Sequence, residues 1–243
     1  MTYCLGILLP EGLVLASDSR SNAGVDQVAR VRKFDLITLP GNHVIAILSA
    51  GNLATTQSVN TQLREMLGSG GTRDLYDART MFEVARIVGD TLRETIARDG
   101  PSVQAYGDPT GSFLVGGQIA GETHRLFQVY SAGNFIEASL RSTFLQIGET
   151  KYGKPILDRS MTPECPLDEA AKLALLSFDA TMRSNLSVGM PIDMLRYQTD
   201  SFSTANMTML KEDDPYWSSL RGTYSQGLSQ LVRSLPTPPD WGG

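Results

Sequence analysis

The sequence predicts an α+β protein in which antiparallel sheets carry helices on their outer faces. Strand-like and helix-like segments come in blocks along the chain: strands, two helices, strands, two helices, two strands and a last helix. This order favours hairpins and helix pairs over alternating βαβ units, which would build a parallel sheet. The chain has 243 residues, 41% of them hydrophobic and 19% charged, so it can bury a sizeable core. Without an internal repeat or a linker, we expect residues 1–243 to form a single domain.

The strands are predicted from short apolar runs bounded by turn residues. Pro10-Glu11-Gly12 separates the first two runs and Pro40-Gly41-Asn42 joins the next two, so each pair forms a hairpin. The polar segment between these hairpins, residues 19–30, is expected to be a loop. The predicted strands cover residues 3–9, 13–17, 33–39, 43–49, 112–119, 124–130, 143–147, 193–199 and 206–210.

The helices are predicted from apolar residues that recur every three or four positions. The glycine-rich segment 68–71 stops the first helix, and Asp99-Gly100-Pro101 is expected to end the second. Asp168 and Glu169 fall in the first turn of the fourth helix, where acidic side chains stabilise the helix dipole. The proline-rich end, residues 236–243, is expected to be irregular. The predicted helices cover residues 52–67, 78–98, 151–159, 167–182 and 214–235.

Composition and charge exclude several classes of function. There are 21 Lys and Arg residues and 26 Asp and Glu residues, and the net charge of −5 argues against a protein that tracks nucleic-acid phosphates. No segment approaches the ~18 uninterrupted apolar residues of a membrane span, and the apolar start lacks the positive charges of a signal peptide. The two cysteines, Cys4 and Cys165, are far apart, which suits a reducing compartment. We therefore expect a cytoplasmic protein that binds neither nucleic acid nor a membrane.

Neither a metal nor a cofactor is expected. The two histidines, His43 and His124, are isolated, which argues against a histidine-rich metal site and against Ser/His/Asp or Cys/His catalysis. His43 lies inside an apolar run and is interpreted as a core residue. The sequence contains no P-loop, no GxGxxG after a strand, no GxSxG and no HExxH.

Thr2 is the candidate nucleophile. It directly follows Met1, an initiator residue that is commonly trimmed when the next residue is small, so activation is expected to need methionine removal and no propeptide cleavage. A threonine with a free N-terminus can attack a carbonyl with its hydroxyl, while its own α-amine takes the proton. The ordinary pKa of such an amine, about 7.7–8.0, suits that exchange. A Met-Thr start is common in proteins and carries little meaning alone.

Asp18 and Lys33 are predicted to support this nucleophile. Asp18 follows the second strand, whose far end returns beside the start of the first strand. Lys33 opens the third strand, and its positive charge would keep the α-amine neutral and ease loss of the hydroxyl proton, with Asp18 holding the lysine. The alternative interpretation is a surface ion pair, worth about 0–1 kcal/mol.

Together with Ser49-Ala50-Gly51 before a helix, these residues resemble the proteasome β-subunit family of N-terminal-nucleophile hydrolases, and most closely its bacterial branch, Anbu (ancestral β-subunit). The resemblance covers about residues 2–210 and leaves 211–243 as a C-terminal helix and tail. The closer similarity is carried by residues 12–20 with 22–26, 145–158 and 183–189.

The resemblance implies a four-layer αββα sandwich and a site with assigned roles. Thr2 would be the nucleophile, Asp18 and Lys33 would lie beside it, and the backbone N–H of Gly51 would stabilise the oxyanion. Such a donor is worth about 2.7–4 kcal/mol in other enzymes. Gly51 also has a simpler interpretation, as the flexible junction between a strand and a helix.

Three further positions are implied to surround the α-amine, and they depart from the family pattern. Family members commonly have Gly-Ser-Gly where this chain has Gly148-Glu149-Thr150, so Glu149 replaces a serine. They also commonly have an aspartate three residues before a serine, and in this chain the corresponding pair is Ser184 and Ser187. A carboxylate at Glu149 would favour the charged form of a neighbouring amine, which is the wrong form for a base.

Three functions remain open on the sequence. The leading one is a threonine-type hydrolase acting on peptide bonds of peptides or unfolded proteins, and the second is a non-peptide amidase of the same superfamily. The third is a catalytically silent scaffold, which a retained Met1 would favour. The family implies self-assembly into rings or open spirals, and the apolar residues of the predicted last helix agree with this. Neither the number of subunits nor an ATP-dependent partner can be read from the sequence.

Overall fold

The computed structural model describes residues 1–22 and 28–239. Most of the stretch 22–26 and the last four residues of the predicted irregular tail therefore lie outside the described residues. In the described part, the helices are α1 (Leu53–Glu65), α2 (Met81–Val103), α3 (Lys154–Ser160), α4 (Leu167–Ser184) and α5 (Pro215–Ser234). The strands are β1 (Tyr3–Leu9), β2 (Gly12–Asp18), β3 (Arg20–Asn22), β4 (Val28–Arg30), β5 (Phe34–Leu39), β6 (His43–Gly51), β7 (Gly111–Ile119), β8 (Arg125–Val129), β9 (Phe135–Glu137), β10 (Phe144–Gly148), β11 (Ile192–Gln198) and β12 (Met207–Leu210).

Two five-stranded antiparallel sheets form the centre of the molecule. Sheet I has the strand order β10-β1-β2-β11-β12, and sheet II has the order β5-β6-β7-β8-β9. The strands β3 and β4 pair separately as a short antiparallel ribbon. Sheet II is a meander of five consecutive strands, whereas in sheet I the later strands β10 and β11 join the two edges of the β1–β2 hairpin.

Side-chain alternation along the strands produces three hydrophobic layers. In β1 the side chains of Tyr3, Leu5, Ile7 and Leu9 pack in the cluster with α4, while Cys4 points into the cluster between the two sheets. This alternation follows from the two-residue period of a strand. On the far side, sheet II packs against α1 and α2 through a third cluster. The order of layers is helices, sheet, sheet, helices, which confirms the predicted αββα sandwich.

The structure differs from the sequence expectation at three places. Residues 19–30 are not a plain loop, because β3 and β4 pair there, and β9 was not predicted. These strands have only three residues each, too few to show an apolar alternation. Helix α2 continues through Gly100 and Pro101 to Val103. Proline removes one N–H donor, but the N–H of Gln104 still donates to the Gly100 carbonyl at 2.9 Å, so the last turn closes.

Helix α5 is anchored by its first turns alone. Trp217 is buried against α4 and the neighbouring core, and Arg221 pairs with Asp179 of α4 at 2.5 Å. Beyond this anchor three apolar side chains of α5 face solvent, Leu228, Leu231 and Val232, and so does Leu235 directly after the helix. None of the helices in residues 1–22 and 28–239 combines the length and hydrophobicity needed to cross a bilayer.

Candidate active site

Asp18 lies at the end of β2 and collects donors from four parts of the chain. The β1–β2 register pairs Cys4 with Ser17, so the residue after Ser17 lies beside the start of β1. The Asp18 side chain is fully buried, and its Oδ1 accepts from the Lys33 ammonium at 2.7 Å and from the Tyr3 N–H at 3.1 Å. Its Oδ2 accepts from the N–H groups of Arg20 at 3.1 Å and Gly189 at 3.2 Å.

The Asp18–Lys33 pair is an interior ion pair, so the alternative of a surface ion pair is wrong. The Lys33 side chain is 6% exposed, and its Nζ also donates to the Arg20 carbonyl at 2.5 Å. Burial raises the pKa of the Asp18 carboxyl, and the Lys33 ammonium and the backbone donors oppose that rise. An ion pair of this kind loses several kcal/mol when one partner is removed, because the other charge stays buried.

Thr2, Lys33 and Gly51 line one small cavity. Its volume is about 40 Å³, and the remaining walls come from β3, from Arg32, from β6 and from one face of α1. Thr2 is 9% exposed, whereas Met1 before it is 60% exposed. Because Met1 is present, the Thr2 nitrogen belongs to a peptide bond in this structure.

Gly51 lies where β6 ends and α1 begins, and no other residue fits there. Its φ of +115° is unfavourable for residues with a side chain, and a Cβ would lie 2.5 Å from the Thr110 carbonyl oxygen. The next residue, Asn52, caps α1 by accepting from the N–H groups of Ala54 and Thr55 at 3.0 and 3.2 Å. The junction role therefore accounts for the glycine at this position, and its place in the wall of the cavity agrees with a role in the chemistry as well.

Glu149 contacts the backbone of Thr2. Its N–H donates to the Thr2 carbonyl at 2.7 Å, and the preceding Gly148 approaches so closely that a Cβ there would lie 2.0 Å from the same oxygen. The Glu149 side chain is 3% exposed, and its Oε2 accepts from Asn185 Nδ2 at 2.9 Å. Its Oε1 has no hydrogen-bond partner among the described residues, and the nearest cation, Lys151 Nζ, lies 3.8 Å away.

The two predicted serines lie around the end of α4. Ser184 is the last residue of that helix and is exposed, while the N–H of Ser187 donates to Asn185 Oδ1 at 2.9 Å. Asn185, which sequence reasoning missed, is thus the residue that reaches Glu149. Its only sequence signal was its place within the stretch 183–189.

Both histidines lie far from Thr2. His43 starts β6, eight residues before Gly51, and its Nε2 contacts the Ala78 carbonyl at 2.9 Å in the core, as expected for a structural residue. His124 Nε2 contacts the carbonyl of Leu9, at the opposite end of β1 from Thr2. No group of three or more His, Cys, Asp or Glu side chains in residues 1–22 and 28–239 is arranged to hold a metal ion.

Comparison with known proteins places the chain in a family. Residues 2–195 match the family model described as "Proteasome subunit". The chain is 28% identical to proteasome subunit beta 1 of Thermococcus kodakarensis over 193 residues, which are 77% of this chain and 84% of that protein.

Two solved structures are similar along nearly the whole chain. Anbu (ancestral beta-subunit) from Yersinia bercovieri is 45% identical with a TM-score of 0.92, and 98% of each chain is covered. The structure titled "Helical Assembly of the Anbu Complex from Pseudomonas aeruginosa" is 44% identical with a TM-score of 0.94 and covers 99% of this chain and 100% of that one. The predicted resemblance is confirmed: the chain belongs to the proteasome subunit family and, within it, to the Anbu (ancestral β-subunit) group.

Proposed function

We propose that the chain is a threonine-type N-terminal-nucleophile hydrolase that cleaves peptide bonds inside a self-assembled homo-oligomer. The observation that carries this proposal is the buried Asp18–Lys33 pair beside a cavity that Thr2 and Gly51 also line. An enclosed ammonium next to a threonine hydroxyl stabilises negative charge that develops during attack. The function requires that the residue before Thr2 be removed.

In the proposed reaction, the Thr2 hydroxyl attacks the substrate carbonyl and its proton moves to the freed α-amine of Thr2. The oxygen of the tetrahedral intermediate accepts from the Gly51 N–H, and the charge of Lys33 stabilises the attacking oxygen. The intermediate collapses as the α-ammonium returns the proton to the leaving amine, which leaves an ester on Thr2. Water, deprotonated by the same α-amine, then hydrolyses the ester and restores the hydroxyl.

Glu149 is proposed to hold the freed α-amine. Its unpartnered Oε1 is an acceptor, and its backbone is already bonded to Thr2. Asn185 fixes the other oxygen of the carboxylate, with Ser187 and the end of α4 at Ser184 supporting Asn185. A carboxylate in this place favours the charged form of the amine over the neutral form that acts as a base, and the positive charge of Lys33 acts in the opposite direction.

A non-peptide amidase is the second candidate function. The small volume of the cavity, about 40 Å³, favours a short acyl group, which a small amide supplies as readily as a peptide. Fold alone does not distinguish the two, because one fold hosts many chemistries.

The proposed nucleophile can be tested by mass spectrometry of the purified protein. We expect the intact mass to show loss of Met1, and incubation with a β-lactone to add one acyl group, mapped to the peptide that begins with Thr2. The adduct requires both the hydroxyl and a free α-amine. A protein that keeps Met1 and takes up no acyl group would instead support the silent scaffold.

Self-assembly is proposed to use the exposed apolar side of α5. Leu228 and Leu231 are each about half exposed on α5, beyond the anchored first turns, and Leu235 directly after the helix is similarly exposed. Repeated heterologous contacts of one chain close into rings or continue as spirals. Enclosure would also restrict an unselective Thr2 site to substrates that enter the assembly.

We expect the wild-type protein to sediment as a large assembly and truncation after Lys211 to lower its mass. Replacing Leu228, Leu231 and Leu235 together by serine should have the same effect and leaves the Trp217 anchor in place. The matched control is Leu140→Ser, because Leu140 is 51% exposed and lies outside α5. A wild-type monomer of 26.4 kDa at micromolar concentration would contradict the enclosed protease and favour the amidase.

A cytoplasmic location is part of the proposal. Both cysteines, Cys4 and Cys165, are free and buried, and proteins of oxidising compartments more often use such residues in disulfides. The proposed substrate is a peptide or another amide, without a cofactor.

A further inference from the structure

A second cavity lies between the end of α4, the start of α5 and the beginning of β3. Its volume is about 220 Å³, and none of its lining residues lines the Thr2 cavity. Part of its lining is apolar and comes from Met182, Val188, Met190 and Trp217. The rest is one glycine, one glutamate and three arginines. The cavity therefore combines apolar contact area with an unusual concentration of positive charge.

Two of the arginines are held by one buried carboxylate. Asp179 of α4 is 5% exposed and is not part of the cavity lining. Its Oδ1 accepts from Arg221 Nε at 2.5 Å, and its Oδ2 accepts from Arg183 Nε at 2.9 Å. The Arg221 guanidinium also lies 5.2 Å from the centre of the Trp217 ring, which places it at the cavity. Because each pair with Asp179 uses only the Nε, the two Nη nitrogens of each arginine are left for another partner.

The third arginine, Arg20 of β3, connects the cavity with Asp18. Its guanidinium lies against Gly189, where a Cβ would be 2.3 Å from Arg20 Cζ, and its Nη1 donates to the Leu186 carbonyl at 2.8 Å. Within the part of the chain that the structure describes, no carboxylate forms an ion pair with Arg20. The backbone N–H groups of Arg20 and Gly189 donate to Asp18 Oδ2. The cavity is thus adjacent to the backbone that holds Asp18, on surfaces the Thr2 cavity does not use.

This lining fits a carboxylate attached to a small aliphatic group. Guanidinium groups bind carboxylates through pairs of parallel hydrogen bonds, which gives them geometric selectivity as well as charge attraction. The three arginines outnumber the two neighbouring carboxylates, Asp179 and Glu212, and Glu212 is exposed to water, which weakens its repulsion. A volume of about 220 Å³ holds roughly seven water-sized groups. A short branched acid, or the last residue of a peptide, has this size.

We propose that this cavity is a second ligand site, which binds a carboxylate on a small aliphatic group through the guanidinium groups of Arg20, Arg183 and Arg221. The aliphatic part lies on the apolar side chains, among them Met190 and Trp217. The carboxylate belongs either to a free short-chain acid or to the C-terminal residue of a peptide. This inference goes beyond the proposed function and does not depend on it. The alternative is that the arginines only tie α4 to α5.

The test is isothermal titration of the full chain with three probes: 4-methylpentanoate, N-acetyl-glycyl-leucine and the amide of the same dipeptide. We expect both acids to bind once per chain and the amide to bind at least about tenfold more weakly than its acid. Tighter binding of the dipeptide than of 4-methylpentanoate supports the site with a peptide C-terminus as its ligand. Equal affinities of the two acids support it with a free acid. Equal binding of acid and amide, or no binding of either acid, overturns the proposal.

Variants locate the binding site of the dipeptide acid. Arg20→Gln keeps the backbone that contacts Asp18 and should weaken binding at least about tenfold. Glu212→Gln removes the negative charge from the cavity lining and should strengthen binding, an effect that a tie between α4 and α5 does not predict. Arg159→Gln is the matched control, because Arg159 is exposed on α3, and it should leave the affinity unchanged.

Arg32→Gln tests the competing location, since Arg32 lines the Thr2 cavity and not the second one. We expect this variant to bind the dipeptide acid as the wild type does. Loss of binding in Arg32→Gln, with wild-type affinity in Arg20→Gln, would place the ligand in the Thr2 cavity and overturn the proposal.

Discussion

Replacing Thr2 with alanine is expected to lower the rate of acylation by a β-lactone about 10⁴-fold or more, to the background rate. The proposed reaction needs the hydroxyl for bond formation, and removal of a catalytic nucleophile has effects of this size in other hydrolases. The fold should survive, because the carbonyl of residue 2 still accepts from the Glu149 N–H. The measurement is intact-mass labelling over time, together with a melting curve.

Thr2→Ser is the matched control for this variant. It keeps the hydroxyl and the α-amine and removes only a methyl group, so we expect labelling within about tenfold of the wild-type rate. Labelling of the alanine variant at the wild-type rate would show that another residue is the nucleophile.

Replacing Lys33 with alanine is the second large effect we expect, with loss of Thr2 labelling in protein that is still assembled. The ammonium lies in the wall of the Thr2 cavity and is held by Asp18 at 2.7 Å. Lys33→Arg should restore little of the Thr2 labelling, because a planar guanidinium replaces a point charge that contacts both Asp18 and the Arg20 carbonyl. Equal labelling of the wild type and both variants would reduce Lys33 to a structural partner of Asp18.

The same variant has a predicted dependence of stability on pH. Lys33→Ala leaves Asp18 buried without its counter-charge, which should cost about 3–5 kcal/mol near neutral pH. Burial already raises the pKa of Asp18, and loss of the opposing ammonium raises it further. Asp18 then ionises at a lower pH in the unfolded chain than in the folded variant. The free energy of unfolding of Lys33→Ala, relative to wild type, therefore falls as the pH rises through the folded pKa and recovers toward acid pH. Urea unfolding at pH 5 and pH 8 should show the larger difference at pH 8.

The sequence predicted those parts of the site that depend on local geometry. Asp18 could be placed beside Thr2 because a tight turn, Pro10-Glu11-Gly12, determines the register of β1 and β2. The two sheets followed from apolar runs long enough to show their period. The β3–β4 ribbon could not be predicted in this way, since its strands are polar and three residues long.

Contacts between distant segments could not be predicted from the sequence. Asn185 reaches Glu149 across 36 positions, and the contact depends on where α4 ends over sheet I. Asn60 looked like an ordinary polar residue of an amphipathic helix, and its place in the Thr2 cavity depends on how α1 packs on sheet II. Neither contact leaves a local pattern in the chain, because packing between layers determines both.

The four donors to Asp18 also bear on when this site can form during synthesis. Tyr3, Arg20 and Lys33 lie near the start of the chain, but Gly189 comes 171 positions after Asp18. A ribosome must therefore complete more than three quarters of the polypeptide before the carboxylate has its full set of partners. Such a long-range contact is made late and depends on β11 taking its place beside β2. A nascent chain that ends before Gly189 thus lacks one of the four donors to Asp18, and under the proposed function the site stays incomplete until most of the fold exists.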